Sequence, residues 1–164
     1  MRGFALFVAG VGSGILLMQS VVAQNGVPND TDMKLNHVAL FVNNFDAAVA
    51  YYTKSMGFRQ AFAFREPNGA PRLTYLQISR DTFLEIQPAT AEHPPGLSHI
   101  GIEMTDAKAT VARLRRMGVK VDDVTPSTNS GALLTNEIDP EGIRSEWLEF
   151  GPASMQRKAM NAWK

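Results

Sequence analysis

Between residues 34 and 152 the apolar positions fall into short runs, and the order of those runs occurs twice. Leu35 to Val42 is apolar with β-branched content and reads as a strand. Asn43-Asn44-Phe45-Asp46 offers a cap ahead of Ala47, Ala48, Val49, Tyr51 and Tyr52 at helical spacing, and Gly57 ends that helix. Phe58 to Phe64 alternates, Glu66 to Pro71 is a turn, and Leu73 to Ile78 and Thr82 to Ile86 are two further strands. After a Pro-containing connector from Pro88 to Gly96, a strand at Ser98 to Met104 precedes a helix capped by Asp106, carrying Ala109, Val111, Leu114 and Met117, and ended by Gly118. A short strand at Val119 to Val121, a loop from Pro126 to Ser130, and strands near Ala132–Ile138 and Arg144–Phe150 follow. The tail from Ala153 to Lys164 reads as helical, with Met155, Ala159 and Trp163 spaced to cover an apolar patch. The pattern predicts an α+β domain over 34–152 made of two β-α-β-β-β modules, about 34–88 and 96–152.

The two halves also agree residue by residue, the kind of self-similarity that decides a fold. Asn36-His37-Val38-Ala39-Leu40 matches Ser98-His99-Ile100-Gly101-Ile102, 62 residues later, and Met56-Gly57-Phe58 matches Met117-Gly118-Val119, 61 residues later. The second helix is therefore one residue shorter. The same 61-residue step carries Glu85 onto Glu146 rather than onto Glu149. Side chains alternate along a strand, so Glu146 and Leu148 share one face, while Trp147 packs against a helix and Glu149 leans to the rim.

Ahead of the repeat, Arg2, an apolar run from Gly3 to Met18 and Val21-Val22-Ala23 read as a secretory signal peptide over residues 1–23. The alternative is an uncleaved anchor, since the run approaches the ~20 residues that span a bilayer. Gly10, Gly12, Ser13 and Gly14 make a poor permanent helix and favour cleavage. Residues 24–33 are a polar linker, and the protein is expected to be exported, periplasmic or secreted. With 16 basic and 16 acidic residues, nothing favours nucleic acid, or a membrane surface once the leader is cut, so a small molecule is the expected partner. The absence of cysteine excludes disulfides, thiol nucleophiles and cysteine-bound zinc.

Two His and two Glu at matched repeat positions, His37, Glu85, His99 and Glu146, would place two nitrogen and two oxygen ligands on one sheet face. Imidazole and carboxylate together leave Zn, Ni, Mn or Fe(II) open. Such an ion polarises a carbonyl or binds an enediolate, and Glu85 or Glu146 would move the proton beside it. The third histidine, His93, sits between Glu92 and Pro94 and is expected on an exposed loop.

These residues resemble the vicinal oxygen chelate superfamily, which includes glyoxalase I, methylmalonyl-CoA epimerase, extradiol dioxygenases, and fosfomycin and bleomycin resistance proteins. The resemblance rests on Leu35 to Val42, Asp46, Tyr51 to Phe58, Phe83-Leu84-Glu85-Ile86, Leu97 to Gly101, and Asp139-Pro140-Glu141-Gly142 leading to Glu146. It implies paired βαβββ modules forming a curled mixed sheet around a divalent-metal site, helices on the outside, often in a homodimer. It also implies a lyase or isomerase acting by proton transfer on a small substrate with vicinal oxygens. The alternatives are an Fe(II) extradiol dioxygenase, disfavoured by Glu85, and a binding or sequestering protein of the bleomycin-resistance type, disfavoured by the retained ligands. Export disfavours ordinary glyoxalase I, whose glutathione-linked substrate is cytosolic. Phe41, Phe62, Phe64, Arg65 and Tyr75 are candidates for shaping the cavity.

Overall fold

The computed structural model describes residues 33–164, so the expected leader and all of the linker except Met33 lie outside the described residues. The chain runs β1 (Lys34–Val42), α1 (Phe45–Ala50), β2 (Arg59–Arg65), β3 (Pro71–Ser79), β4 (Thr82–Pro88), β5 (Gly96–Glu103), α2 (Ala107–Arg116), β6 (Thr125–Pro126), β7 (Leu133–Ile138), β8 (Arg144–Glu149) and α3 (Met155–Asn161). The strands form one mixed sheet in the order β2-β3-β4-β1-β5-β8-β7-β6. Each module's first strand lies parallel to its own last strand, and the two first strands meet antiparallel at the centre. This is the expected α+β architecture.

One face of the sheet is shared between the modules. Phe62, Tyr75 and Phe83 from the first meet Ala132, Leu148 and Phe150 from the second in a single cluster, so the sheet curls on itself. The other face carries the helices. Leu40, Leu76, Leu84 and Ile86 pack with Ala48, Val49 and Tyr52 beside α1, and Met104 and Trp147 pack with Ala107 and Leu114 of α2.

The extra residue in the first helix has a visible fate. Beyond Ala50 the helix continues as a π-turn over Tyr51–Ser55, where the Met56 amide donates to the Tyr51 carbonyl at 3.1 Å. An i→i+5 bond takes up one residue more than an α-turn. The step of 62 becomes 61 there, without disturbing either flanking strand.

Two expected elements differ. Val119–Val121 is not a strand; only an isolated bridge joins Val121 to Glu137, and the neighbour of β7 on the side away from β8 is the two-residue β6. Asp122 and Asp123 are poor strand formers, and Val119 and Val121 pack against the α2 cluster instead. The tail helix packs Met155 and Ala159 on the core as expected, and also buries Gln156 and Met160. Ser154 caps this helix, accepting from the Arg157 amide, and the helix ends before Trp163, which therefore does not continue the stripe.

Glu149 does more than lean outward: its Oε2 accepts from the Ala107 amide at 2.8 Å, beside the Asp106 cap on Ala109. A carboxylate at a helix N-terminus both satisfies a free amide and opposes the helix dipole. Glu149→Ala is expected to lower stability by roughly 1 kcal/mol. Urea denaturation checks this, and an unchanged midpoint would remove the capping role.

Candidate metal centre

Strand register places the four residues. Ala39 on β1 sits between Glu85 on β4 and His99 on β5, and Gly101 on β5 sits between His37 on β1 and Glu146 on β8. The small residues matter because the rings lie over the sheet. A Cβ built at Gly101 would overlap the His37 ring. The four side chains therefore converge from four adjacent strands of a single chain, all within 4.8 Å of one another at their ligating atoms.

The spacing matches one ion. The two imidazole Nε2 atoms are 3.0 Å apart, and each is 3.5–3.7 Å from Oε2 of Glu85 and of Glu146. Four donors about 2.0–2.2 Å from a common centre lie about 3.0–3.6 Å apart at right-angled to tetrahedral openings. His37 already holds a ligand tautomer: its Nδ1–H donates to Asn36 Oδ1 at 3.1 Å, leaving Nε2 with a free lone pair. His99 Nδ1 lies 3.0 Å from Ser98 Oγ and also receives Arg144 Nη2, which can only donate, so as placed Nδ1 accepts. Ligation through Nε2 would require the proton on Nδ1, donated to Ser98, with the guanidinium turned away. The residues present fit a divalent ion.

Burial treats the two carboxylates differently. Glu85 is 3% exposed, its Oε1 receives the Gln87 amide, and Tyr75 stands directly opposite it across the β3–β4 pair. Burial, the largest effect, raises its pKa, with the charge of Glu146 acting the same way. For Glu146 burial pulls upward too, but its hydrogen bond to His99 and nearby positive charge outweigh it and hold the carboxyl below its ordinary value. Its side chain is 15% exposed, with Oε1 3.9 Å from Arg144 Nη1. His37 is pushed down to about 3, first by burial and then by His99, so its ring is neutral at pH 7, as a ligand must be.

A cavity of about 160 Å³ opens over this cluster, lined among others by Phe64, Tyr75, Gln87 and Arg144. A larger hollow of about 720 Å³ lies along the outer side of β7 near Arg115, Lys120 and Asn136, away from the ligands, with Arg144 between the two. Of the expected cavity residues, Phe64 and Tyr75 line the site cavity, and Phe62 is buried behind them, stacked on Tyr75 at 4.7 Å. Arg65 does not point inward. Phe62 and Phe64 take the inner face, so strand alternation puts Arg65 on the other side, where it is exposed and donates to the Gly69 carbonyl. Phe41 does not line the cavity either; it stacks on His93, which is exposed as expected, at 4.9 Å. The partners Asn36 and Ser98 were readable in principle, since both are polar and both precede the repeated His. Gln87 and Arg144, each two residues from a ligand on the same strand face, carried the same signal.

Residues 34–147 match the Glyoxalase/Bleomycin resistance protein/Dioxygenase superfamily. The chain belongs to this superfamily. Among solved structures, this superfamily member resembles a hypothetical protein from Bacillus halodurans at 18% identity, covering 73% of this chain and 96% of that one with a TM-score of 0.61. Methylmalonyl-CoA epimerase from Mycobacterium tuberculosis aligns at 19% identity over 72% and 88% of the two chains, TM-score 0.60. A halotolerant catechol dioxygenase aligns at 25% identity over 71% of this chain and 40% of that one, TM-score 0.56. No curated protein sequence matches this chain significantly. The superfamily thus spans epimerase and dioxygenase relatives on this fold, and the fold alone does not choose between them.

Proposed function

We propose that the protein is a metal-dependent lyase or isomerase of the glyoxalase type, in which His37, Glu85, His99 and Glu146 hold one divalent ion and Glu146 moves the proton. The observation that carries this reading is the unequal treatment of the carboxylates: both line the cavity, but the Glu85 side chain is 4% exposed with its Oε1 taken by Gln87, whereas that of Glu146 is 15% exposed with its Oε1 turned toward Arg144. What the ion supplies when bound is Lewis acidity toward the substrate's oxygens, with Zn, Ni, Mn and Fe(II) all suited to the donor set. Glu146 Oε1, free of the imidazoles, takes a proton from the carbon beside the polarised carbonyl and returns it from the same side. Arg144 partly neutralises that carboxylate and keeps it ionised before the transfer. The cavity is small beside the ~300–1,000 Å³ of sites for drug-sized ligands, so it accepts a compact reacting fragment. The fourth candidate ligand, Glu85, favours proton transfer over oxygen chemistry.

Elemental analysis of protein purified without chelator, or reconstituted with each metal, should find near one ion per chain, lost in His99→Ala. The loaded protein in D₂O should then exchange a substrate C–H, read by NMR, with 2-oxoaldehyde adducts or epimerisable thioesters. Oxygen uptake with a catechol would transfer the assignment to a dioxygenase. Tight binding without exchange would transfer it to a sequestering protein.

A further inference from the structure

Among the described residues that line the site cavity, Arg144 is the one lysine or arginine. Its side chain is 35% exposed, so a ligand entering the cavity can reach it. Nη1 donates at 2.8 Å to Oδ1 of Asn136, which stands opposite Glu146 on the neighbouring strand, and this bond holds the guanidinium at the cavity wall. Nη2 points at His99 Nδ1, and Glu146 Oε1 lies 3.9 Å from Nη1.

The contact with His99 cannot outlast ligation. Three contacts form one consistent row: Arg144 Nη2 donates to His99 Nδ1, His99 Nε2 to His37 Nε2 at 3.0 Å, and His37 Nδ1 to Asn36 Oδ1. In that row the His99 proton sits on Nε2, the atom that must be bare to hold an ion. With the proton moved to Nδ1 and given to Ser98 Oγ, Arg144 Nη2 has lost its acceptor. A loaded site therefore leaves a charged donor free beside the ion.

Charge points the same way. Ligating glutamates are ionised and ligating imidazoles neutral, so Glu85 and Glu146 cancel a divalent ion and the guanidinium is left over. A single uncompensated positive charge beside a cavity of about 160 Å³ calls for a monoanion. A carboxylate fits best: its two oxygens match the flat guanidinium fork, and it carries one charge where a phosphate monoester carries about 1.5–2. Resting on the metal-centre reading, we infer that the substrate carries a carboxylate beside its reacting carbon and that Arg144 binds it. That contact sets the carbon next to Glu146 Oε1, the oxygen nearest the guanidinium.

The test uses the Co(II)-loaded protein and two probes of equal size with vicinal oxygens, lactate and its neutral amide lactamide, each titrated through the Co(II) visible spectrum. Arg144→Met, which removes the charge and every donor at similar length, should lose roughly 10–100-fold in lactate affinity while lactamide changes little. Arg144→Lys, which keeps the charge, should recover part of the loss. Co(II) affinity, measured by competition against a chromophoric chelator, should be equal or higher in Arg144→Met, because His99 is released from the guanidinium. A lactate preference that survives intact in Arg144→Met belongs to the metal alone and overturns the inference. Equal losses for both probes, or weaker Co(II) binding, make Arg144 a structural support and overturn it too. A parent that binds Co(II) but does not favour lactate overturns the carboxylate and leaves the metal centre standing, whereas one that takes up neither Co(II) nor Zn(II) overturns both readings.

Discussion

A single methyl group at position 101 is expected to abolish metal binding. Gly101 has no positive φ, so alanine meets no backbone objection there, and the whole effect is steric. The added Cβ would overlap three atoms of the His37 ring, which is fully buried and tied to Asn36. The ring has to leave its place, and Nε2 leaves with it. Bound metal in Gly101→Ala should fall from near one per chain to near none, an affinity loss of roughly 100-fold or more. Overpacking should also lower stability by about 1–3 kcal/mol. The repeat provides the control. Ala39 occupies the matching position, and Ala39→Gly removes only a buried methyl, so metal should be retained with a stability loss near 1 kcal/mol. Full metal content in Gly101→Ala, by elemental analysis, would show that His37 does not lie over the glycine.

Amide substitution should separate the two glutamates. In Glu146→Gln the carbonyl can stay toward the imidazoles while the amide group turns to the cavity side, so metal should remain. The base is gone, and C–H exchange should fall by about 10²–10⁴-fold. In Glu85→Gln no orientation serves: Gln87 donates to Oε1, and the imidazole-facing Oε2 must keep a lone pair for a cation. An amide group on either side faces a donor or the ion, so affinity should drop by about 10–100-fold. Exchange measured at saturating metal and metal content measured at limiting metal distinguish the two. If Glu85→Gln keeps metal and loses exchange while Glu146→Gln does the reverse, the roles are exchanged. If both variants keep full exchange, neither carboxylate moves the proton.

The repeated His and Glu were legible because a duplicated module leaves the same residue types at the same spacing, and the strand period of two assigns each to a face. The single residue by which the copies differ was legible as a length change, while its accommodation in a π-turn at Tyr51–Ser55 depended on the backbone bonds. Cavity lining was read less well. Arg65 adjoins Phe64 and alternation turns it away from the cavity, while Phe41 is engaged with His93 of the β4–β5 connector.

The chain's pattern by itself determined two modules and four candidate ligands from the two copies, because periodicity and repeat spacing can be read along the chain. Tertiary structure decided the rest: that the four candidate ligands meet within one chain, that Gly101 must be bare beneath His37, and that Glu85 is held more tightly than Glu146. Each of these depends on which residues the curl of the sheet brings face to face, and that pairing joins positions that no short-range pattern connects.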